Sequence, residues 1–126
     1  MICLDTNYLI MGLVAGSREA GLLLEWASKG EKLITASIVW YEFLCGPVTN
    51  QQIAAMKQLL AQIAPFDEST SNIASQLFNQ AGRKRTLRVD AMIAATAIAQ
   101  QSPLATNNTN DFSPFVPFGL ELVTVQ

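Results

Sequence analysis

Short apolar runs alternate with longer segments of helical spacing along most of the chain, and this alternation constrains the fold more than any other feature. The apolar runs predict strands at residues 2–4, 32–36, 104–106 and 120–125, with a weaker strand at 64–66. Strands that are separated by helices favour an α/β fold, in which helices cover both faces of a mostly parallel sheet.

The segments between the strands have the apolar spacing and the end signals of helices. Predicted helices cover residues 8–14, 17–29, 37–45, 49–63, 69–81 and 89–101. In a parallel sheet the carboxyl ends of all strands lie at one edge, and each returning helix begins at that edge. Side chains that directly follow a strand, or that begin such a helix, can therefore meet although they are far apart in the sequence.

Chain length and cysteine placement indicate the class of protein. The 126 residues predict one domain over residues 1–126. No apolar run reaches the length of a membrane span, and the first residues lack the basic segment of a signal peptide. Cys3 and Cys45 lie in apolar stretches with no metal-site spacing, which predicts two reduced core cysteines. We therefore expect a cytoplasmic protein with no membrane partner.

The charged residues exclude several functions. The chain has no histidine, which removes Ser–His and Cys–His hydrolases and the commonest zinc ligand. Ten acidic against eight basic side chains argue against nucleic-acid binding by bulk positive charge. If Asp5, Glu42, Asp90 and Asp111, which lie at the predicted binding edge, are set aside, however, six acidic side chains remain against the eight basic ones. The acidic balance therefore does not exclude a nucleic-acid partner.

Four carboxylates occupy positions at the predicted binding edge. Asp5 and Asp111 follow strands, Asp90 begins an alanine-rich apolar helix, and Glu42 lies on a helix with no lysine or arginine within helical reach. Each position also has a structural interpretation. Asp5 could be a helix N-cap, Asp111 a turn residue, Asp90 a favourable charge at a helix start, and Glu42 a surface glutamate. The topology nevertheless predicts that all four meet.

Converging carboxylates repel one another unless some are protonated or a cation lies among them. Oxygen ligands without histidine or a thiol cluster select hard ions, which favours Mg²⁺ or Mn²⁺. Such an ion neutralises phosphate oxygens and lowers the pKa of water, so the pattern indicates phosphodiester hydrolysis without histidine.

A basic cluster directly precedes Asp90. It supplies four of the eight basic side chains, and its members are Arg83, Lys84, Arg85 and Arg88. A solvated loop between two helices is one interpretation. The other is a strip that binds the phosphates of RNA without reading its bases.

Four segments of the chain together resemble the motifs of PIN domains, and are most similar to VapC-type toxins of bacterial type II toxin–antitoxin systems. The segments are 4–7, 37–44, 90–97 and 106–112, and their order and spacing span nearly the whole chain. The resemblance implies a three-layer α/β/α sandwich with a five-stranded parallel sheet. It also implies a Mg²⁺- or Mn²⁺-dependent endoribonuclease that is a homodimer and is inhibited by a cognate antitoxin.

The resemblance also assigns site residues by motif match. The implied catalytic acids are Asp5, Glu42, Asp90 and Asp111, and the supporting polar groups are Thr6, Asn7, Thr106 and Asn108. Asp5, Asp90 and Asp111 would hold the metal, Glu42 would act on the attacking water, and the basic cluster would hold RNA. Some relatives carry a further acid where Asn108 stands, which implies weaker metal binding here or a single ion.

Two other functions fit parts of the pattern. A catalytically silent PIN-like domain could serve as a protein-interaction module, given the high apolar content. A phosphoacceptor receiver domain would need an acidic pair after the first strand and a late lysine. Thr6 follows Asp5 and no lysine lies beyond Lys84, so the receiver interpretation fails.

Overall fold

A four-stranded parallel sheet forms the centre of the protein, for which we describe a computed structural model over residues 1–125. The strands are β1 (Ile2–Leu4), β2 (Leu33–Ala36), β3 (Gln62–Ala64) and β4 (Leu104–Ala105). Their order across the sheet is β3-β2-β1-β4, and every neighbouring pair is parallel. The predicted parallel α/β arrangement is confirmed.

The prediction of a fifth strand at 120–125 is wrong in detail. Leu122 makes a single parallel bridge to Leu104. The residues on either side of Leu122 support it: the Leu104 amide donates to the Glu121 carbonyl at 2.8 Å, and the Val123 amide donates to the Leu104 carbonyl at 2.9 Å. The segment cannot extend this pairing because β4 has only two residues before the chain turns away. The segment lines the edge of the sheet without forming a strand.

Within residues 1–125, six helices lie between the strands, as the sequence predicts, and a short seventh, which the sequence does not predict, follows the last strand. They are α1 (Thr6–Met11), α2 (Arg18–Ser28), α3 (Ser37–Cys45), α4 (Asn50–Leu59), α5 (Glu68–Gln80), α6 (Arg88–Ala99) and α7 (Thr109–Phe112), with 3₁₀ turns at Arg85–Leu87 and Ser113–Phe118. Ser17 caps α2 by accepting a hydrogen bond from the Ala20 amide at 3.0 Å. Thr49 and Gln52 form a capping box at the start of α4.

The helix boundaries differ from the prediction by up to four residues: the first helix begins at Thr6 rather than at residue 8, and the largest difference lies before β3. The helix predicted at 49–63 ends at Leu59, and the weak strand predicted at 64–66 lies instead at Gln62–Ala64. The reason is pairing with β2, in which Ile63 lies opposite Thr35. Hydrogen bonds along this ladder outweigh the apolar helical spacing that continues beyond Leu59.

The strand order creates a switch point between β1 and β4. The chain moves across the sheet from β1 to β2 to β3, then returns past β1 to form β4. Because such crossovers are right-handed, α1–α4 cover one face of the sheet, and α5 and α6 cover the other. Ligands bind parallel sheets at such a reversal, outside the carboxyl ends of the strands.

The two central strands, β1 and β2, lie in the hydrophobic core. Every residue of β1 and β2 is buried. Burial raises the pKa of Cys3 to about 12, so its thiol stays protonated. Cys45 is exposed, against the prediction of a core position, because it ends α3 on the outer side. No helix in the part of the chain that the structure describes is long and apolar enough to cross a bilayer.

Gly12 marks a close approach of α1 and α2. A Cβ atom there would overlap with the Tyr8 carbonyl oxygen and the Leu23 side chain, whereas a Cβ at Gly21 would meet nothing within 4 Å. We predict that Gly12→Ala lowers the free energy of unfolding by about 1–3 kcal/mol. Gly21→Ala should raise it by about 0.5–1 kcal/mol, because glycine is unfavourable inside a helix. Urea unfolding measures both, and equal stability of the two variants would contradict this packing.

Candidate active site

Asp5 lies at the switch point and joins the ends of two strands. It follows β1 and caps α1, and only 5% of its surface is exposed. Its Oδ1 accepts a hydrogen bond from the Thr6 amide at 2.8 Å, and its Oδ2 accepts one from Thr106 Oγ1 at 2.7 Å. Burial raises the pKa of Asp5, and these two hydrogen bonds oppose the rise by stabilising the carboxylate.

Thr6 and Thr106 extend the site on either side of Asp5. Thr6 Oγ1 donates to Glu42 Oε1 at 3.2 Å, which connects α1 to α3. Thr106 Oγ1 accepts from the Asn108 amide at 2.9 Å, which fixes the turn after β4. Asn108 thus contributes its backbone N–H here, and Asn7 is half-buried at the second position of α1.

Asp90 lies within electrostatic reach of the other three acids. It is the third residue of α6 and is half-buried. Burial raises its pKa to about 6, and the negative charges of Asp111, Asp5 and Glu42 contribute to the rise in that order. The structure therefore brings the four predicted carboxylates near one another, as topology alone predicted.

The two outer carboxylates, Glu42 and Asp111, are exposed. Glu42 is exposed although most of its helical neighbours are apolar. The outer side of α3 is uncovered, so Tyr41 and Leu44 beside it are also exposed. Asp111 is exposed at the third position of the short helix α7.

No protein cation neutralises these acids within residues 1–125. The ion pairs there join the Met1 amine to Glu31 and Lys29 to Glu25, both on the surface. Nor does that range contain three or more acidic or cysteine side chains arranged so that they could hold a metal ion as they stand. The carboxylates are thus close enough to repel one another but do not form a closed cage.

The basic cluster is exposed, and two of its members are turned toward α5. Arg83 donates to Asn79 Oδ1 at 2.7 Å, and the Arg88 guanidinium lies 5.8 Å from the centre of the Phe78 ring. Lys84 and Arg85 are exposed just before α6. The cluster therefore lies at the start of the helix that carries Asp90.

Sequence reasoning overlooked Arg18 and Tyr8. Both line a cavity that shares Thr106 with the carboxylate site. A signal was present, because the N-cap Ser17 places Arg18 at the start of a helix that begins at the binding edge.

The model of the PIN domain family matches residues 2–114 of this chain. The protein belongs to the PIN domain family. It is 30% identical to Ribonuclease VapC19 of Mycobacterium tuberculosis over 120 residues, which cover 91% of this chain and 94% of that protein. The resemblance to VapC-type proteins, seen first in the four motifs, is confirmed.

Solved structures have the same fold over almost the whole chain. VapBC2 from Rickettsia felis, bound to a DNA fragment from its promoter, matches with a TM-score of 0.76 and 22% identity over all of both chains. A toxin–antitoxin complex from Klebsiella pneumoniae matches with a TM-score of 0.69 and 29% identity over 90% of this chain and 91% of that one. The protein is thus a VapC-like PIN domain.

The raised pKa of Asp90 predicts that the stability of the metal-free protein depends on pH. The carboxyl is neutral in both folded and unfolded chains below about pH 4, and above that only the unfolded chain ionises freely until the pH passes about 6. Stability is therefore lost as the pH rises through this window. Asp90→Asn should raise the melting temperature in EDTA above about pH 6, with no gain below about pH 4.

The matched control is Glu121→Gln, which removes an exposed carboxylate that does not belong to the group of four acids. A gain that is the same at all pH values, or equal in both variants, would contradict the repulsion inferred at Asp90.

Proposed function

We propose that this protein is a Mg²⁺- or Mn²⁺-dependent endoribonuclease and the toxin of a toxin–antitoxin pair. The observation that carries the proposal is the group of four carboxylates around buried Asp5, at the switch point of a PIN domain. The similarity to Ribonuclease VapC19 supports RNA as the substrate.

The residues present fit a hard divalent cation. Asp5 and Asp90 have raised pKa values and no cationic partner among residues 1–125, so a cation would stabilise both carboxylates. The open arrangement suits Mg²⁺, which keeps several waters and binds proteins through one or two carboxylates. When bound, the ion neutralises phosphate oxygens and lowers the pKa of water.

The protein's own groups have separate roles in this proposal. Asp5, Asp90 and Asp111 would hold the cation. Glu42 is exposed and is oriented by Thr6, so it can position the attacking water and accept its proton.

Supporting groups keep the site in place. Thr106 and the Thr6 amide fix the Asp5 carboxylate, while Asn7 and Asn108 complete the polar edge. The basic cluster Arg83, Lys84, Arg85 and Arg88 supplies phosphate contacts at the start of α6, where RNA would enter the site.

Protein partners are part of the proposal. The solved structure from Klebsiella pneumoniae is a toxin–antitoxin complex, and the one from Rickettsia felis is VapBC2 bound to a DNA fragment from its promoter. Ile10 and Val14 near α1 and Tyr41 and Leu44 on α3 are exposed apolar side chains, and exposed apolar surface of this kind marks contacts with other proteins. We infer a cognate antitoxin and a homodimer.

RNA cleavage by the purified protein tests the proposed activity. Wild-type protein should cleave single-stranded RNA with Mg²⁺ or Mn²⁺, and EDTA should abolish cleavage. Asp5→Asn should lower the rate by about 100-fold or more, because it removes a charge at the centre of the site while leaving a similar side chain. Glu121→Gln should cleave as wild type does. Cleavage that survives both EDTA and Asp5→Asn would disprove the mechanism.

A catalytically silent interaction module is the second candidate, favoured by the open carboxylate arrangement and by Asn108 in the last motif. Thermal melting during a Mn²⁺ titration separates the two functions. A cation that binds the folded site stabilises it by about 2.7 kcal/mol at 100 times its dissociation constant. The nuclease should show this rise and Asp90→Asn should lose it, whereas the silent module predicts no rise in either protein.

A further inference from the structure

A cavity of about 320 Å³ opens beside the carboxylate site. Thr106 belongs to both, because it lines the cavity and its hydroxyl donates to Asp5 at 2.7 Å. Asn107, in the turn after β4, and Thr109, the first residue of α7, also line the cavity with polar groups. A molecule in this cavity therefore lies next to the proposed cleavage centre.

The other lining residues combine one cation with apolar surface. Arg18, the first residue of α2, is exposed and is the charged side chain among the lining residues. Neither ion pair within residues 1–125 involves it. Val123 and Val125, from the segment beyond β4, supply a half-buried apolar surface.

Two charged side chains act on the Tyr8 phenol, which also lines the cavity. Burial raises the pKa of Tyr8, the Arg18 charge lowers it, and the nearby Glu19 carboxylate raises it. Glu19 is buried within α2 and is not among the lining residues. The cavity therefore presents a positive charge, polar groups and an apolar wall together, and this combination suits a nucleotide, with its phosphate, ribose and base.

Right-handed crossovers place the cavity and the basic cluster on opposite sides of the sheet. Arg18 begins a helix on the face covered by α1–α4, and the cluster begins α6 on the other face. Both helices begin at the carboxyl edge of the sheet, with Asp5 between them. A single RNA strand bound by the cluster would pass the carboxylates and continue into the cavity.

We propose that this cavity is a nucleotide subsite, which binds the nucleotide adjoining the cleaved phosphodiester on the side away from the basic cluster. Arg18 holds its phosphate, and Val123 and Val125 pack against its ribose and base. The subsite rests on the proposed ribonuclease function and adds a second point at which the RNA strand is held.

Arg18→Gln tests the subsite, and Lys57→Gln is its matched control. Lys57 is an exposed cation in the last turn of α4, at the opposite edge of the sheet. Arg18→Gln should raise KM for single-stranded oligoribonucleotides about tenfold with kcat unchanged, the effect of losing one charged contact. The slope of log Kd against log salt, measured in EDTA, should fall by about 0.7. Lys57→Gln should match wild type in both measurements.

Substrate length locates the subsite. Two series of oligoribonucleotides are shortened to the cleavage site, one from the 5′ end and one from the 3′ end. In the series that lacks the nucleotide bound by the subsite, Arg18→Gln and wild type should have the same KM. Asn107→Ala, which alters an exposed lining residue, should weaken binding in the same length-dependent way and serves if Arg18→Gln does not fold.

The outcomes separate the two proposals. If wild type cleaves RNA and Arg18→Gln behaves as Lys57→Gln does, the subsite is wrong and the ribonuclease stands. A defect that persists in both truncated series, or that appears in kcat alone, also overturns the subsite. If wild type neither binds nor cleaves RNA, both proposals fail.

Discussion

The hydrogen bond from Thr106 to Asp5 is the interaction on which the site depends. It joins residues 101 positions apart, at the ends of two neighbouring parallel strands. The Asp5 amide adds a second link by donating to the Ala105 carbonyl at 3.0 Å. Because β1 and β4 meet only at the switch point, the same pairing that closes the sheet also aims the buried carboxylate at the binding edge.

Local signals in the sequence were enough to predict the parallel sheet and the placement of four acids at one of its edges. Asp5 directly follows an apolar run, and Asp90 begins a helix, so strand and helix ends alone bring them to one edge. The remaining features depend on contacts between distant segments. The length of β3 depends on β2, the exposure of Glu42 depends on what covers α3, and the position of Arg88 depends on Phe78 in α5.

Stability and function oppose each other at this site. Burying Asp5 and gathering acids around Asp90 raise both pKa values, so the ionised folded chain is less stable than one without these charges. Two donors to Asp5 offset part of the cost and keep its carboxylate in one orientation. In the proposed metal site, repulsion that is left unrelieved in the free protein would become binding free energy on entry of a cation, so the same carboxylates would be both a structural cost and a ligand set.

The placement of charge, rather than its sum, explains how an acidic chain can bind RNA. The net charge is −2, yet four of the eight basic residues precede Asp90, and Arg18 lies across the site from them. At physiological salt, charges separated by more than about 8 Å along the exposed surface are largely screened from one another. A phosphate therefore responds to the cations at the helix starts far more than to distant acids. Helix starts on both faces of the sheet converge at this edge, so the topology that gathers the carboxylates also brings the cations beside them.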